Sequence, residues 1–176
     1  KGAIGLGTSL ALQRHGEGRV AARAAQLSLA VRQLDATPGL HLLRVSTWVS
    51  TPPLRGGTAR GLFLNGVALF TSTLAPQAVL RRCIALEEAA GRRRARWWGD
   101  RTLDLDVLMV EGVVLDEERL VLPHRAIADR PFVLGPLLAV WPDAIDPRDG
   151  SSWGARPSPR GPRPVHRGQV ARRPSL

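Results

Sequence analysis

Two acidic side chains in one apolar segment are the strongest candidates for chemistry. Asp104 and Asp106 alternate with Leu103, Leu105 and Val107. Because strand side chains alternate between faces, both carboxylates should point one way and the apolar side chains into a core. Such a pair repels unless a cation lies between its members, and magnesium prefers carboxylates completed by phosphate oxygens. A solvated strand face has the same pattern, so neighbouring residues must distinguish the two interpretations.

An arginine-rich segment leads into this strand and favours a role in phosphate binding. A guanidinium group binds two phosphate oxygens at once, and an indole ring stacks on flat heteroaromatic rings. The same composition suits single-stranded nucleic acid or a merely solvated loop, so the segment alone leaves all three open. Its members are Arg92, Arg93, Arg94, Arg96, Trp97, Trp98 and Arg101.

Six short motifs occur in an order that is typical of one enzyme family. The chain resembles the 6-hydroxymethyl-7,8-dihydropterin pyrophosphokinases from about Ala3 to about Pro147, and the block from Trp98 to Asp106 is the most specific part. The motifs are Thr51-Pro52-Pro53-Leu54, Phe63-Leu64-Asn65, Glu87 before Gly91-Arg92, Trp98-Gly99-Asp100-Arg101-Thr102-Leu103-Asp104-Leu105-Asp106, Leu122-Pro123-His124 and Arg130-Pro131-Phe132-Val133-Leu134-Gly135-Pro136-Leu137.

The resemblance implies a reaction and its participants. Pyrophosphate would pass from ATP to the hydroxymethyl oxygen of 6-hydroxymethyl-7,8-dihydropterin, leaving AMP, in folate biosynthesis. The implied cofactor is Mg²⁺, as two ions held by Asp104 and Asp106. The expected partners are the two small-molecule substrates, with no nucleic acid and no membrane, and the expected state is a monomer.

The resemblance also assigns side chains to each substrate. Arg92 and Arg101 would be catalytic residues on the ATP phosphates. The pterin ring would lie between Phe63 and Phe132, with Asn65 at its polar edge. The other implied ATP-binding residues are Arg94, Trp98, Arg119, His124 and Arg130; the implied pterin-binding set is Thr51, Pro52, Leu54, Phe63, Asn65, Trp98 and Phe132.

The elements that must position these residues follow from hydrophobic periodicity. It predicts strands over 3–6, 40–51, 62–70 and 103–110, and helices over 20–34, 76–91 and 130–140. Val113 to Leu115 is a candidate partner for the last strand across the turn at Glu111-Gly112. The order β-α-β-β-α-β predicts an α+β, ferredoxin-like sandwich with a mainly antiparallel sheet.

Composition predicts one globular domain followed by a tail. The chain has 176 residues, 44% of them hydrophobic, which is enough for a core without disulfides. No apolar run approaches the ~20 residues of a membrane helix, and the lone Cys83 excludes a disulfide framework. We assign residues 1–149 to the pyrophosphokinase domain. Residues 150–176, rich in Ser, Pro, Gly and Arg, are predicted to be a disordered basic tail.

The net charge of +10 keeps a second function open, a non-catalytic nucleic-acid-binding module of ferredoxin-like fold. Asp104 and Asp106 argue against it, since acids on the working face repel a phosphate backbone, and no RNA-recognition aromatic motif is present. A third interpretation, a relative that binds pterin without turnover, disagrees with the retained metal and phosphate residues. The lone cysteine and the lack of a targeting segment predict a cytoplasmic protein, and the start at Lys1 leaves open a fragment or a fusion to another folate-pathway enzyme.

Overall fold

The order of strands and helices agrees with the order expected from the sequence. The structure is a computed structural model that describes residues 1–8, 18–52, 62–91 and 103–156. No helix within these ranges is both long and apolar enough to cross a membrane. The elements are β1 (Gly2–Thr8), α1 (Gly18–Asp35), β2 (Leu40–Val45), β3 (Val49–Thr51), β4 (Phe63–Ser72), α2 (Pro76–Ala89), β5 (Asp104–Val110), β6 (Leu115–Glu117), β7 (Leu120–Leu122), α3 (Pro131–Val140) and a 3-10 turn at Trp153–Ala155.

One antiparallel sheet organises the molecule. Its strand order is β2-β4-β1-β5, and β3 also pairs with β4. Every ladder in it is antiparallel. The strands β1 and β2, which are connected in sequence through α1, lie on either side of β4. This is the split arrangement of the ferredoxin-like order, and it confirms the α+β prediction.

The larger apolar core lies between this sheet and the helices α1 and α2. Leu103, Leu105 and Val107 are buried in it, as their alternation with the aspartates predicted. From α1 the core receives Leu27 and Leu34 at helical spacing. The apolar side chains of β5 therefore anchor one face of the strand and leave the aspartates on the other.

A second apolar core lies on the opposite face, under α3 and the C-terminal segment. A bulge in β5 supplies part of it, because Ala3 pairs with Met109 while Ile4 pairs with Val107. The extra residue, Leu108, and Met109 are both buried in this core. The apolar end of β5 therefore belongs to the core that α3 covers, whereas Asp104 and Asp106 do not.

The single strand predicted over 40–51 is two strands, which corrects that boundary. The chain leaves the sheet at residues 46–48, between β2 and β3. Ser46 bridges the gap, since its N–H donates to the Val67 carbonyl and its Oγ accepts the Val67 N–H, both at 2.9 Å. The Ser46 hydroxyl replaces a backbone carbonyl as the acceptor for the Val67 N–H. Hydrophobic periodicity does not reveal such a break in a strand.

The predicted pairing of Val113 to Leu115 with β5 is wrong. After the turn at Gly112, where φ is +71°, the chain forms β6, which pairs with β7 through Leu115 and Leu122. The N–H of Val113 closes the turn after β5 by donating to the Val110 carbonyl at 3.0 Å. The glycine therefore turns the chain into a separate two-stranded hairpin.

The start of the predicted tail also needs correction. Residues 150–156 are part of the folded domain, because Trp153 is only 1% exposed and packs in the core under α3. Arg156 pairs with the fully buried Asp146 at 2.6 Å and lies over the Trp153 ring at 4.3 Å. One large side chain and the ion pairs of Arg156 with Asp146 and Asp149 fix this segment, which has no hydrophobic periodicity. Residues 157–176 lie outside the described residues.

Candidate active site

A pocket opens on the α3 face of the sheet, at the aspartate end of β5. Its floor crosses three strands in one row, because Gly7 on β1 pairs with both Asn65 on β4 and Asp104 on β5. With strands about 4.8 Å apart, Asn65 and Asp104 stand roughly 10 Å from one another across the floor. The residues that line the pocket are Gly5, Leu6, Gly7, Asn65, Gly66, Asp104, Asp106, Leu108, His124, Arg130, Phe132 and Val133.

Two glycines keep this floor open, and the sequence analysis did not assign them to the site. A Cβ at Gly7 would lie 3.3 Å from Asn65 Oδ1, and one at Gly5 would lie 3.3 Å from the Leu108 side chain. A side chain at Gly7 would crowd the space between Asn65 and Asp104, and one at Gly5 would press against Leu108. Alternating glycines in an apolar strand were the available signal, since they mark close approach to a backbone.

The two aspartates lie side by side on this floor, as their spacing predicts. Both are half-buried and both line the pocket.

On the other side of the sheet from the aspartates, Cys83 is fully buried. Burial first, and then the nearby charges of Glu87 and Asp106, raise the pKa of the Cys83 thiol to about 12. The only cysteine is therefore a neutral packing residue rather than a nucleophile or a metal ligand.

Only some of the residues assigned to pterin line the pocket. Asn65 Nδ2 donates to the buried Thr51 Oγ1 at 2.9 Å, which holds the amide in place. Phe132, in the first turn of α3, forms part of the wall. Phe63 is opposite Thr51 in the β3–β4 ladder and is not part of the lining, while Pro52 is exposed just beyond β3.

His124 is held by two backbone contacts at the edge of the pocket. Its own N–H donates to the Leu108 carbonyl at 2.7 Å, and its Nδ1 accepts the Ala126 N–H at 3.2 Å. With Nδ1 acting as an acceptor, the proton of the neutral ring lies on Nε2. The histidine can therefore donate a hydrogen bond from Nε2. Arg130, immediately before α3, lines the same pocket.

A groove of about 550 Å³ adjoins the pocket, between α2, β5 and the β6–β7 hairpin. Asp106 and His124 line both spaces, so the pocket and the groove meet at these two side chains. Arg119 lies at the hairpin turn, and the exposed Arg125 and Asp116 pair at 2.9 Å. The remaining wall combines apolar and acidic side chains: Leu80, Val107, Leu120, Val121, Glu117 and Glu118.

Part of the predicted site falls on residues that the structure does not describe. Within the described ranges, no cluster of three or more His, Cys, Asp and Glu could hold a metal ion, so Asp104 and Asp106 contribute a pair only. The predicted residues outside the described ranges are Leu54, Arg92, Arg94, Trp98 and Arg101.

Comparison with known proteins identifies the family. Residues 3–142 match the family of 7,8-dihydro-6-hydroxymethylpterin-pyrophosphokinase (HPPK). The chain belongs to the HPPK family. The matched range contains the pocket and the groove and ends just after α3, before Ala144 and Trp153 of the second core.

Named relatives agree with this family. A 2-amino-4-hydroxy-6-hydroxymethyldihydropteridine pyrophosphokinase from Methylorubrum extorquens is 44% identical over 123 residues, which cover 70% of this chain and 77% of that one. A protein of the same name from Pseudomonas aeruginosa is 36% identical over 140 residues, 80% of each chain. The "Folic acid synthesis protein fol1" of Schizosaccharomyces pombe is 35% identical over 122 residues, which are 69% of this chain but 16% of that protein.

Membership of the HPPK family confirms the resemblance seen in the sequence. The chain is an enzyme, a pyrophosphokinase that uses ATP as a substrate. The alternative of a non-catalytic nucleic-acid-binding module is not favoured.

Proposed function

We propose that the chain transfers pyrophosphate from ATP to the hydroxymethyl oxygen of 6-hydroxymethyl-7,8-dihydropterin, as a step of folate biosynthesis. In this step the hydroxyl oxygen bonds to the β-phosphorus. The bond from that phosphorus to the oxygen bridging the α-phosphate breaks, AMP leaves with the bridging oxygen, and the hydroxyl proton passes to water. The observation that carries the proposal is the meeting of pocket and groove at Asp106 and His124, which would juxtapose two substrates.

The pocket is the proposed site of the pterin. Because Asn65 Nδ2 is already bonded to Thr51, its Oδ1 remains directed over Gly7 as an acceptor for an N–H of the pterin ring. The Phe132 ring would contact a face of the pterin. Phe63 and Phe132 on opposite faces of the ring remain a prediction, since only Phe132 lines the pocket.

The groove is the proposed site of ATP. Its apolar side chains, including Leu80 and Val107, suit a purine, and Arg119 supplies a cation on the opposite wall. His124 stands where the groove joins the pocket, so the hydrogen on its Nε2 could be donated to a phosphate oxygen. Positioning and charge neutralisation of this kind account for most catalysis of phosphoryl transfer.

The residues present fit a magnesium cofactor. Asp104 and Asp106 are half-buried carboxylates on one face, and magnesium usually takes one or two carboxylates and completes its ligands with substrate phosphates and water. A pair without a third acidic ligand is therefore sufficient. Bound there, the two predicted ions would supply neutralisation of phosphate charge. The aspartates themselves would orient the triphosphate toward the pterin hydroxyl.

Further parts of the proposal come from the sequence. Arg92 and Arg101 on the phosphates, with Arg94, Trp98 and Leu54 nearby, are supported by the motifs they belong to. So is Arg130 as an ATP-binding residue, although in the structure it lines the pocket. A cytoplasmic monomer is also part of the proposal, as the sequence analysis predicts. The fol1 relative, matched over 16% of its length, supports the occurrence of this domain within longer chains.

The deciding experiment identifies the nucleotide product. The chain is incubated with ATP, magnesium and the hydroxymethyl dihydropterin, and nucleotides are separated by chromatography. AMP that forms only when the pterin is present supports the proposal, whereas ADP overturns it.

For variants of Asp104 and Asp106 in the same assay, Asp129→Asn is the matched control, because Asp129 is exposed and lines neither cavity.

A further inference from the structure

Glu87 is a buried carboxylate to which no role has yet been given. It continues the core-facing stripe of α2 after Val79 and Cys83, at the spacing of successive helical turns. The side chain is only 4% exposed. Glutamate is rarely buried to this degree unless a partner compensates for the loss of water.

The partner lies in the backbone of β5, between the two aspartates. Glu87 Oε1 accepts the N–H of Leu105 at 2.8 Å. Among the described strands, β5 is at the edge of the sheet and pairs with β1 alone. Bonds from a backbone N–H to a carboxylate are among the stronger hydrogen bonds, so α2 secures this edge.

The bond fixes the strand at the point where the carboxylates emerge. On the inner side, Asp104 and Asp106 are paired with Gly7 and Gly5 of β1. On the outer side, Glu87 holds the residue between them. The backbone that carries the two carboxylates is therefore restrained from both directions.

We propose that Glu87 is a positioning residue that preforms the carboxylate pair for magnesium and nucleotide. The inference rests on the proposed function, because it takes Asp104 and Asp106 as the metal-binding pair. Glu87 itself contacts neither substrate; it acts through the Leu105 N–H. Partners behind a metal site commonly affect metal affinity by about 10–100-fold when removed.

The test compares variants that keep or remove the acceptor oxygen. Glu87→Gln retains an oxygen for the Leu105 N–H, and Glu87→Ala does not. Glu88→Ala is the matched control, since Glu88 is the exposed neighbour on the same helix. Two quantities are measured for each: the hydrogen-exchange rate of the Leu105 amide by NMR, and the affinity for α,β-methylene-ATP by calorimetry, with and without magnesium.

We expect Glu87→Ala to speed exchange at Leu105 and to weaken magnesium-dependent nucleotide binding by about 10–100-fold. Binding without magnesium should be unchanged, and Glu87→Gln and Glu88→Ala should resemble the unaltered chain. If Glu87→Ala does not fold, Glu87→Asp decides by the same readouts, because it keeps the charge and withdraws the oxygen by one methylene.

Three results would overturn the inference alone: retained magnesium dependence in Glu87→Ala, an equal loss with and without magnesium, or Glu87→Gln behaving like Glu87→Ala. The last would mean that charge rather than the acceptor contact matters. If the unaltered chain binds nucleotide no better with magnesium, the proposed metal site fails and the inference falls with it. The unaltered chain thus separates the two failures.

Discussion

The two faces of the central sheet differ in what they carry, although the same strands form both. Under α1 and α2 the face is apolar for most of its length, through side chains such as Ile4, Leu64 and Leu105. Under α3 it is apolar at one end only, and the other end presents Asn65 and the aspartates around a glycine floor. Because strand side chains alternate, close packing beneath one face holds the polar groups of the other in place.

The difference shows how a short helix creates a site. α3 is 10 residues long, so it spans only about 15 Å. It packs mainly on β4 and shares a core with the bulged end of β5. Phe132 in its first turn and Arg130 just before it lie at the border of the pocket. The pocket therefore lies at the first turn of α3, and residues at this end of the helix form part of the pocket wall.

The sharpest test of this contrast removes charge from the polar face. Asp104→Ala and Asp106→Ala should each lower kcat by about 10²–10³-fold or more, because a preorganised charge at the transferring group is lost. The melting temperature should change little, since both side chains are half-buried. Steady-state AMP formation and calorimetry measure the two effects, with Asp129→Asn as the control. Normal turnover in either alanine variant would contradict the metal role.

Changes at the apolar end of the α3 face should lower stability. A chain that ends at Asp149 lacks Trp153, and the loss of such a buried side chain costs about 3–5 kcal/mol. A chain that ends at Arg156 retains it and should unfold like the full chain. Urea denaturation of both truncations measures the difference. Equal stability of the two would show that Trp153 contributes nothing to the core.

A third change sharpens the comparison from the α1–α2 side. Ile4→Ala removes a fully buried side chain that lines neither cavity, and should lower the free energy of unfolding by about 2–5 kcal/mol. Turnover per folded molecule should remain near that of the unaltered chain. A large fall in kcat in fully folded protein would mean that the two faces are more strongly coupled than the packing indicates.

The buried Asp146, which pairs with Arg148 and Arg156, should make part of the stability depend on pH. The hydrogen bond from Arg148 lowers the pKa of Asp146 below its usual 3.8, although burial opposes the shift. A lowered folded-state pKa stabilises the fold above pH 3.8, and this contribution is lost as the pH falls through the folded-state value. Asp146→Asn should therefore lower the free energy of unfolding by about 1–3 kcal/mol at pH 7. The difference from the unaltered chain should shrink as the pH falls below 3.8.

Urea denaturation across this pH range measures the difference between Asp146→Asn and the unaltered chain. Asp143→Asn is the control, because Asp143 is exposed on the same segment. A difference that stays constant as the pH falls would contradict the assignment of the ion pair.

The smallest expected effect tests the hydrogen bond that holds Asn65 on the pocket floor. Thr51→Val keeps the shape of the side chain but removes the acceptor for Asn65 Nδ2. The freed amide should weaken pterin binding by about 1 kcal/mol, mainly as a higher KM for the pterin. Thr71→Val, opposite His41 at the far end of β4, is the control. An unchanged KM would remove the orienting role of Thr51.

Much of this protein could be inferred from short-range patterns in its sequence. The alternation of Asp104 and Asp106 with apolar residues predicts their common face, and the ordered motifs predict the family. Helical spacing and proline at the first turn likewise place α1 and α2 correctly, apart from their ends. These signals are local, so the identities of nearby residues are sufficient for them.

Only the tertiary structure decided the features that depend on distant contacts. Ser46 accepts the Val67 N–H where β2 ends, and Glu87 of α2 accepts the Leu105 N–H of β5. Trp153 lies in an irregular segment and packs in the second core. The meeting of pocket and groove at Asp106 and His124 likewise joins β5 to a later loop. Such contacts depend on how separate elements pack, which the periodicity of any one segment does not encode.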